Sequence, residues 1–414
     1  MVLSALALAV MDGCGTGGCA GAGADGSAET SGPSEPQTSS GAGGSGGGAG
    51  GADVSGAGGA GGADVSGAGG AGGADVSGAG GAGGADVSGA GGAGGAEEVP
   101  GGGSAGGTAG AGGDSAEDPP PVALALSGDV QGVHDPSIIK AGELYHVFST
   151  GPGIPIRSST DLLHWRLAGA VFSAHPDWVA SRVGDVDSLW APDISYWGGV
   201  YHLYYAASRF GTNRSCIGHA TTADLAAAGG WADHGPVLCS EGTDHNAIDP
   251  NVVIDERGTA WLAFGSFWSG LKLVQLAGDG TPIDGTLTSI AARPSTAIEA
   301  PFLVKRDDHY YLFASFDTCC AGARSTYKIM VGRSLALAGP YVDRLGNRML
   351  EGGGSRVLTS RSAWRGPGSN ALIQAGESWY HVYHSYDAAA DGMPTLRVAE
   401  LSWGEGGWPE SGGP

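Results

Sequence analysis

One pattern recurs five times after residue 122 and restricts the fold more than any other feature of the chain. His134-Asp135-Pro136 leads into SIIKAGELYHVFST, Ala191-Pro192-Asp193 into ISYWGGVYHLYYAAS, and Ile248-Asp249-Pro250 into NVVIDERGTAWLAFGS. Glu299-Ala300-Pro301 leads into FLVKRDDHYYLFAS, and Gly366-Pro367-Gly368-Ser369-Asn370 into ALIQAGESWYHVYHSYD. Each copy reads as a polar, proline-marked lead-in, an apolar strand, a tight turn and an aromatic strand, and no long helical periodicity intervenes. Asp135, Asp193, Asp249 and Glu299 follow one another at intervals of 58, 56 and 50 residues. That length suits one four-stranded propeller blade. The copies therefore predict an all-β fold, a five-bladed β-propeller over residues 122–414, closed by Val122–Leu126 or by the chain end. A β-sandwich is the alternative, but it does not call for five matching lead-ins.

The residues before this region have a different composition. Residues 1–121 hold 44 of the 81 glycines, no Lys or Arg, and none of the 19 Phe and Trp residues. Such a segment cannot bury enough apolar surface to offset its ordering entropy, and it is expected to be disordered. Residues 1–20 begin MVLSALALAVM, a short apolar run followed by Asp12-Gly13-Cys14, which reads as an export or lipoprotein-like leader. Residues 21–121 contain an eleven-residue Gly/Ala repeat with aspartates at 53, 64, 75 and 86. Its single valine per unit gives nothing to stack, so the repeat is a flexible tether with a reach of about 55 Å. The expected location is outside the cell, secreted or tethered to its surface. No stretch is apolar for long enough to span a bilayer.

Of the formal charge of −22, the first 121 residues supply 13 acids and no base. No Lys/Arg cluster occurs, which argues against nucleic acid as a partner. The six cysteines form no CxxC pair, so a thiolate zinc site is not expected. In an exported protein Cys216 and Cys239 are candidates for a disulfide between neighbouring strands, whereas Cys319 and Cys320 are expected to fill space near a loop.

In a propeller the first strand of each blade lines the axis, so equivalent lead-ins meet at one mouth. Asp135, Asp249 and Glu299, distant in sequence, then face one cavity. Clustered carboxylates repel one another and lose water, which drives their pKa values apart, as acid–base catalysis requires. A lone Asp-Pro is an ordinary turn. Recurrence in several blades is what turns these acids into candidates. Asp193 follows its proline instead of preceding it, and is read as a structural acceptor.

The strings VHDPSII (133–139), WAPDI (190–194), NAIDPNV (246–252), GSFWSG (265–270), IEAPF (298–302), STYKIMVGRS (325–334) and YHSYD (383–387) resemble glycoside hydrolase family 43, and within it the arabinanases. The resemblance spans residues 128–409. It implies a five-bladed propeller that hydrolyses glycosidic bonds with inversion, with Asp135 as general base, Glu299 as general acid, and Asp249 orienting the acid and raising its pKa. It also implies Trp190 and Phe210 as sugar-contacting aromatics, Asn246 and Ser266 as partners of substrate hydroxyls, and His134 as support for the Asp135 loop beside the substrate. His384 matches a histidine next to a metal, calcium, whose other ligands are mostly water. Relatives that read GPGHN place an imidazole where this chain has Ser369, so that contact is in question.

The expectation is a monomeric endo-acting hydrolase of α-1,5-linked L-arabinan, the side-chain polysaccharide of plant pectin. Exo-acting arabinanase, α-L-arabinofuranosidase or β-xylosidase activity is the alternative on the same architecture. A non-catalytic carbohydrate-binding propeller is the alternative of another class, and the presence of all three carboxylates argues against it.

Overall fold

The structure, a computed structural model, describes residues 120–226, 229–294 and 296–414. The expected leader (1–20) and tether (21–121) lie outside these residues, apart from Pro120 and Pro121. The described residues form five sheets, each built on a four-stranded antiparallel meander in chain order, and the first carries Ser127–Gly128 as an added parallel strand. Their first strands are Ser137–Ala141, Trp190–Trp197, Asn251–Ile254, Ile298–Arg306 and Trp364–Ala375. These begin at the five predicted lead-ins, and the sheets are the blades of the five-bladed β-propeller that the repeat predicts.

The first hairpin of each blade turns on a residue with positive φ: Gly142, the Gly198-Gly199 pair, Gly258, Asp307 and Gly376. Glycine takes this conformation without steric cost, and aspartate is among the side chains that tolerate it best.

The apolar runs do not alternate strictly because central strands are covered on both faces. Leu203 to Ala207, in the strand Val200–Ser208, are all fully buried. Five hydrophobic clusters account for this, each lying between two neighbouring blades. Phe148, Ile154, Leu203 and Tyr205 join the first and second blades. Tyr204, Ile217, Leu262 and Phe264 join the second and third. Leu273, Ile290, Leu303 and Leu312 join the third and fourth. Phe313, Val331, Tyr383 and Leu401 join the fourth and fifth. Val147, Trp165, Val382 and Val398 join the fifth and first. Burial of each such side chain contributes about 1.5–3 kcal/mol.

Both expected closing segments take part. The chain end Pro409–Ser411 is the outer strand of the fifth blade. Residues 123–131 run along the third strand of that blade, Met393–Trp403: Leu124 N–H donates to the Val398 carbonyl at 2.8 Å, and Leu396 N–H to that of Val130 at 2.8 Å. Ser127–Gly128 then pairs with the outer strand of the first blade. One stretch of chain thus ties the last blade to the first.

The cysteines divide into one expected and one unexpected pairing. Cys216 and Cys239 are bonded, directly opposite each other on paired strands of the second blade. Cys319 and Cys320 are bonded to each other, so the space-filling reading is corrected: the adjacent cysteines close a ring in the loop after the strand His309–Phe316.

Candidate active site

Each lead-in holds one non-glycine residue at positive φ: Asp135 (49°), Ala191 (39°), Asp249 (54°), Ala300 (54°) and Ser369 (50°). Four of the five precede proline, which normally pushes its predecessor into the extended region. Left-handed backbone at such residues stores about 1–3 kcal/mol each and persists where the surrounding structure over-determines it. A cavity is walled by one segment from every blade, residues 135–137, 191–193, 249–251, 300–302 and 369–371. It therefore lies on the ring axis.

The strained residue also sets the true register among the acids. Asp135 and Asp249 occupy it. Glu299 lies one residue earlier, in the slot of His134 and Trp190, and Asp193 lies two later, with Ser137 and Asn251. The three candidate carboxylates converge from two different slots, a distinction that the proline pattern concealed.

Asp135 is held by three neighbours. His134 Nδ1 lies 2.7 Å from Oδ2, the Thr150 hydroxyl donates to the same oxygen at 2.7 Å, and the Asp135 N–H donates to His384 Nδ1 at 3.1 Å. Oδ1 is left without a hydrogen bond among the described residues and is free to receive a proton. Burial alone would raise this carboxyl's pKa. The charge and hydrogen bond of His134, with lesser help from His384 and Thr150, overcome it and hold Asp135 well below the usual range, ionised at neutral pH. His134 responds in the opposite sense: burial disfavours its charge, but Asp135 and Tyr386 raise its pKa well above normal.

Glu299 is set up differently. Its Oε2 accepts from the Ser266 hydroxyl at 2.7 Å, while Oε1 is buried with no protein partner. Burial pushes its pKa up to about 7 despite the Ser266 hydrogen bond, and the charge of Asp135 adds to the rise. Asp249 Oδ2 accepts from Ala300 N–H at 3.1 Å, beside Glu299. Burial first, then the charges of Glu299 and Asp135, raise Asp249 well above normal. Asp249 and Glu299 thus retain a proton between them to higher pH than an isolated carboxyl would. Asp193 is structural, as read from its shifted position: it accepts from Val252 N–H (2.8 Å), Asn251 Nδ2 (3.1 Å) and the Ser137 hydroxyl (3.4 Å), and stitches three blades together.

Other expected residues separate by environment. Trp190 and Phe210 meet edge to face with centroids 6.4 Å apart, and Phe210 is 72% exposed, an open apolar surface. Asn246 is buried with its Oδ1 unpartnered. The Ser266 hydroxyl is already committed to Glu299. His134 is wedged between Asp135 and Tyr386, whose hydroxyl is 2.7 Å from Nε2, and stacks on His384 at 3.9 Å. Ser369 donates its N–H to the Ser315 hydroxyl at 2.8 Å and lines the axial cavity.

The sequence carries no assignment for Thr150, Tyr386 or the buried serines other than Ser266, whose expected partner was a substrate hydroxyl instead of Glu299. A signal was present, because the second strand of each blade closes on a buried serine: Ser149, Ser208, Ser266, Ser315 and Ser385. Two of them, Ser266 and Ser315, bond the lead-in of the next blade.

The donors also decide how an ion could be held. His134, Asp135 and His384 each bring a ligand atom within 4.8 Å of the others. Both nitrogens of His134 are engaged, but Nε2 of His384 is buried and unpartnered, which fits an ion that takes its remaining ligands from water. Nε2 can bind a cation only with the ring proton on Nδ1, at the expense of the hydrogen bond from Asp135.

Comparison with known proteins agrees with this geometry. The family described as Glycosyl hydrolases family 43 matches residues 130–409. An extracellular endo-α-(1→5)-L-arabinanase of Bacillus subtilis (strain 168) is 42% identical over 285 residues, covering 67% of this chain and 87% of that protein. An extracellular exo-α-(1→5)-L-arabinofuranosidase of Cellvibrio japonicus is 38% identical over 307 residues, covering 70% of this chain and 88% of that protein. Among solved structures, the endo-arabinanase of Bacillus licheniformis superposes with a TM-score of 0.66 at 43% identity, covering 69% of this chain and 99% of that one. Fold, axial carboxylates and similarity lead to one assignment: the chain belongs to glycosyl hydrolases family 43 and is a glycoside hydrolase.

Proposed function

We propose that the propeller hydrolyses α-1,5-linked L-arabinan by endo attack with inversion, with Asp135 as base, Glu299 as acid and Asp249 as the carboxyl that keeps the acid protonated. The observation that carries this reading is the opposed protonation of two carboxyls at one axial mouth, Asp135 held ionised by His134 and Glu299 raised to about 7. Asp135 Oδ1 takes the proton of an attacking water, and Glu299 Oε1 gives one to the leaving oxygen. The open face of Phe210 beside Trp190, and the unpaired Oδ1 of Asn246, suit the apolar faces and hydroxyls of furanose rings. The test is Glu299→Ala on linear arabinan, where kcat falls by roughly 10²–10⁴-fold. Arabinan binding persists, and an aryl arabinofuranoside whose leaving group needs no proton is still cleaved. A wild type that binds arabinan and releases no sugar would make the protein a carbohydrate-binding propeller instead.

The similarity to an exo-acting relative at 38% identity favours exo action as a second reading. A rapid fall in arabinan viscosity with little early arabinose supports endo attack; arabinose alone from the first minutes supports exo attack.

Calcium beside His384, secretion and a monomeric state belong to the same proposal. The two disulfides suit an oxidising compartment, and a surface anchor at Cys14 would give the Gly-rich segment a use as a tether. No helix among the described residues is long and apolar enough to cross a membrane. Near-stoichiometric calcium by elemental analysis, with a lower Tm after chelation, is the expected result for the ion. Neither would appear if His384 Nε2 meets only water.

A further inference from the structure

One amide and two side chains form a continuous chain behind Asp135 that neither the repeat nor the reaction requires. The N–H of Cys320 donates to the Tyr386 hydroxyl at 2.8 Å. That hydroxyl lies 2.7 Å from His134 Nε2, and His134 Nδ1 lies 2.7 Å from Asp135 Oδ2. Cys320 follows a strand of the fourth blade, Tyr386 ends a strand of the fifth, and His134 leads into the first. The chain thus spans three blades on the side where the ring closes.

The amide that donates to Tyr386 is the peptide bond between Cys319 and Cys320, and it lies inside the ring that their disulfide closes. Ring closure removes most of the freedom that this peptide would have in an open loop, and Cys320 is held at positive φ (62°). The N–H direction is therefore fixed before substrate arrives. Tyr386 is 3% exposed, so water has little access to its oxygen, and whether His134 carries one proton or two, that oxygen is the partner of Nε2. With Nε2 anchored, the imidazole plane and the position of Nδ1 are determined, and Asp135 Oδ2 with them. Groups locked by neighbours in this way avoid the reorganisation that a mobile base must undergo in each turnover.

We propose that the Cys319–Cys320 ring and Tyr386 are positioning elements for the base, acting through His134 to hold Asp135 with its second oxygen toward the attacking water. This rests on the assignment of Asp135 as base.

The test is a double-mutant cycle on linear arabinan, with kcat, KM, arabinan binding and Tm measured for each protein. Tyr386→Phe removes the oxygen and keeps the ring, and kcat falls between about 10- and 100-fold, as for a displaced catalytic group, while KM and arabinan affinity stay within about twofold. The pair Cys319→Ser with Cys320→Ser frees the peptide, lowers kcat less and leaves KM unchanged. Because both act on one chain, the serine pair has no further effect in the Tyr386→Phe background. A kcat for Tyr386→Phe within twofold of wild type overturns the proposal, and so do effects that multiply. If Tyr386→Phe does not fold, the serine pair alone decides: lower kcat at constant KM supports the proposal, and unchanged kcat overturns it. Asp135→Ala separates this inference from its premise. An active Asp135→Ala removes the assignment of the base and the inference with it, whereas an inactive one beside a normal Tyr386→Phe removes the inference alone.

Discussion

Replacing Ser266 with alanine tests whether the proton affinity of Glu299 governs activity. The hydroxyl donates to Glu299 Oε2 at 2.7 Å, the hydrogen bond that opposes the rise of this buried carboxyl to about 7. A hydrogen bond to an ionised group contributes about 1.5–3 kcal/mol, and one pKa unit corresponds to about 1.4 kcal/mol, so losing the donor raises the pKa by about 1–2 units. Water that replaces the hydroxyl returns part of this, which makes about one unit the expected shift. The sign follows from the role. A general acid works while protonated, so kcat/KM declines as pH rises through its pKa, and a higher pKa moves that alkaline decline to higher pH. The assay is the pH profile of kcat/KM from pH 4 to 10 on linear arabinan, wild type against Ser266→Ala. An alkaline limb that stays in place or moves toward acid would refute the claim that this hydrogen bond tunes the catalytic proton. A uniform loss of rate with no shift would reduce Ser266 to a packing role.

His381 is fully buried, and burial lowers its pKa to about 3. Its folded value lies below the unfolded one, near 6.5, so the contribution it makes to stability is complete above pH 6.5 and is lost as pH falls toward 3. Denaturant unfolding of wild type and His381→Phe at several pH values should therefore show wild type losing stability relative to the variant on acidification, and a constant difference would contradict this. The Cys216–Cys239 bond closes a loop of 23 residues. Replacing both cysteines by serine should cost about 3 kcal/mol, a fall in Tm of roughly 6–12 °C for a domain of this size. Arabinan hydrolysis at 25 °C should persist, because the bond lies on the outer strands of its blade. A Tm within 1 °C of wild type would refute the estimate.

The sequence by itself determined the number of blades and the meeting of Asp135, Asp249 and Glu299 at one mouth. It could do so because each blade has the same local requirements: a kinked lead-in, a hairpin turn and strands buried on both faces. Repetition makes those requirements visible even in a single chain. The structural role of Asp193 was also legible, since it stands two residues after the kinked position, in the slot of Ser137 and Asn251. What only the tertiary structure decided lies in the partners of individual side chains, which no spacing in the chain assigns. Ser266 bonds Glu299 across 33 residues, Thr150 bonds Asp135 across 15, and Tyr386 reaches His134 across 252. The protonation of the acids is decided there too. Both Asp135 and Glu299 are buried, yet the first is held ionised by the imidazole beside it and the second is raised to about 7 with no cation in hydrogen-bond contact.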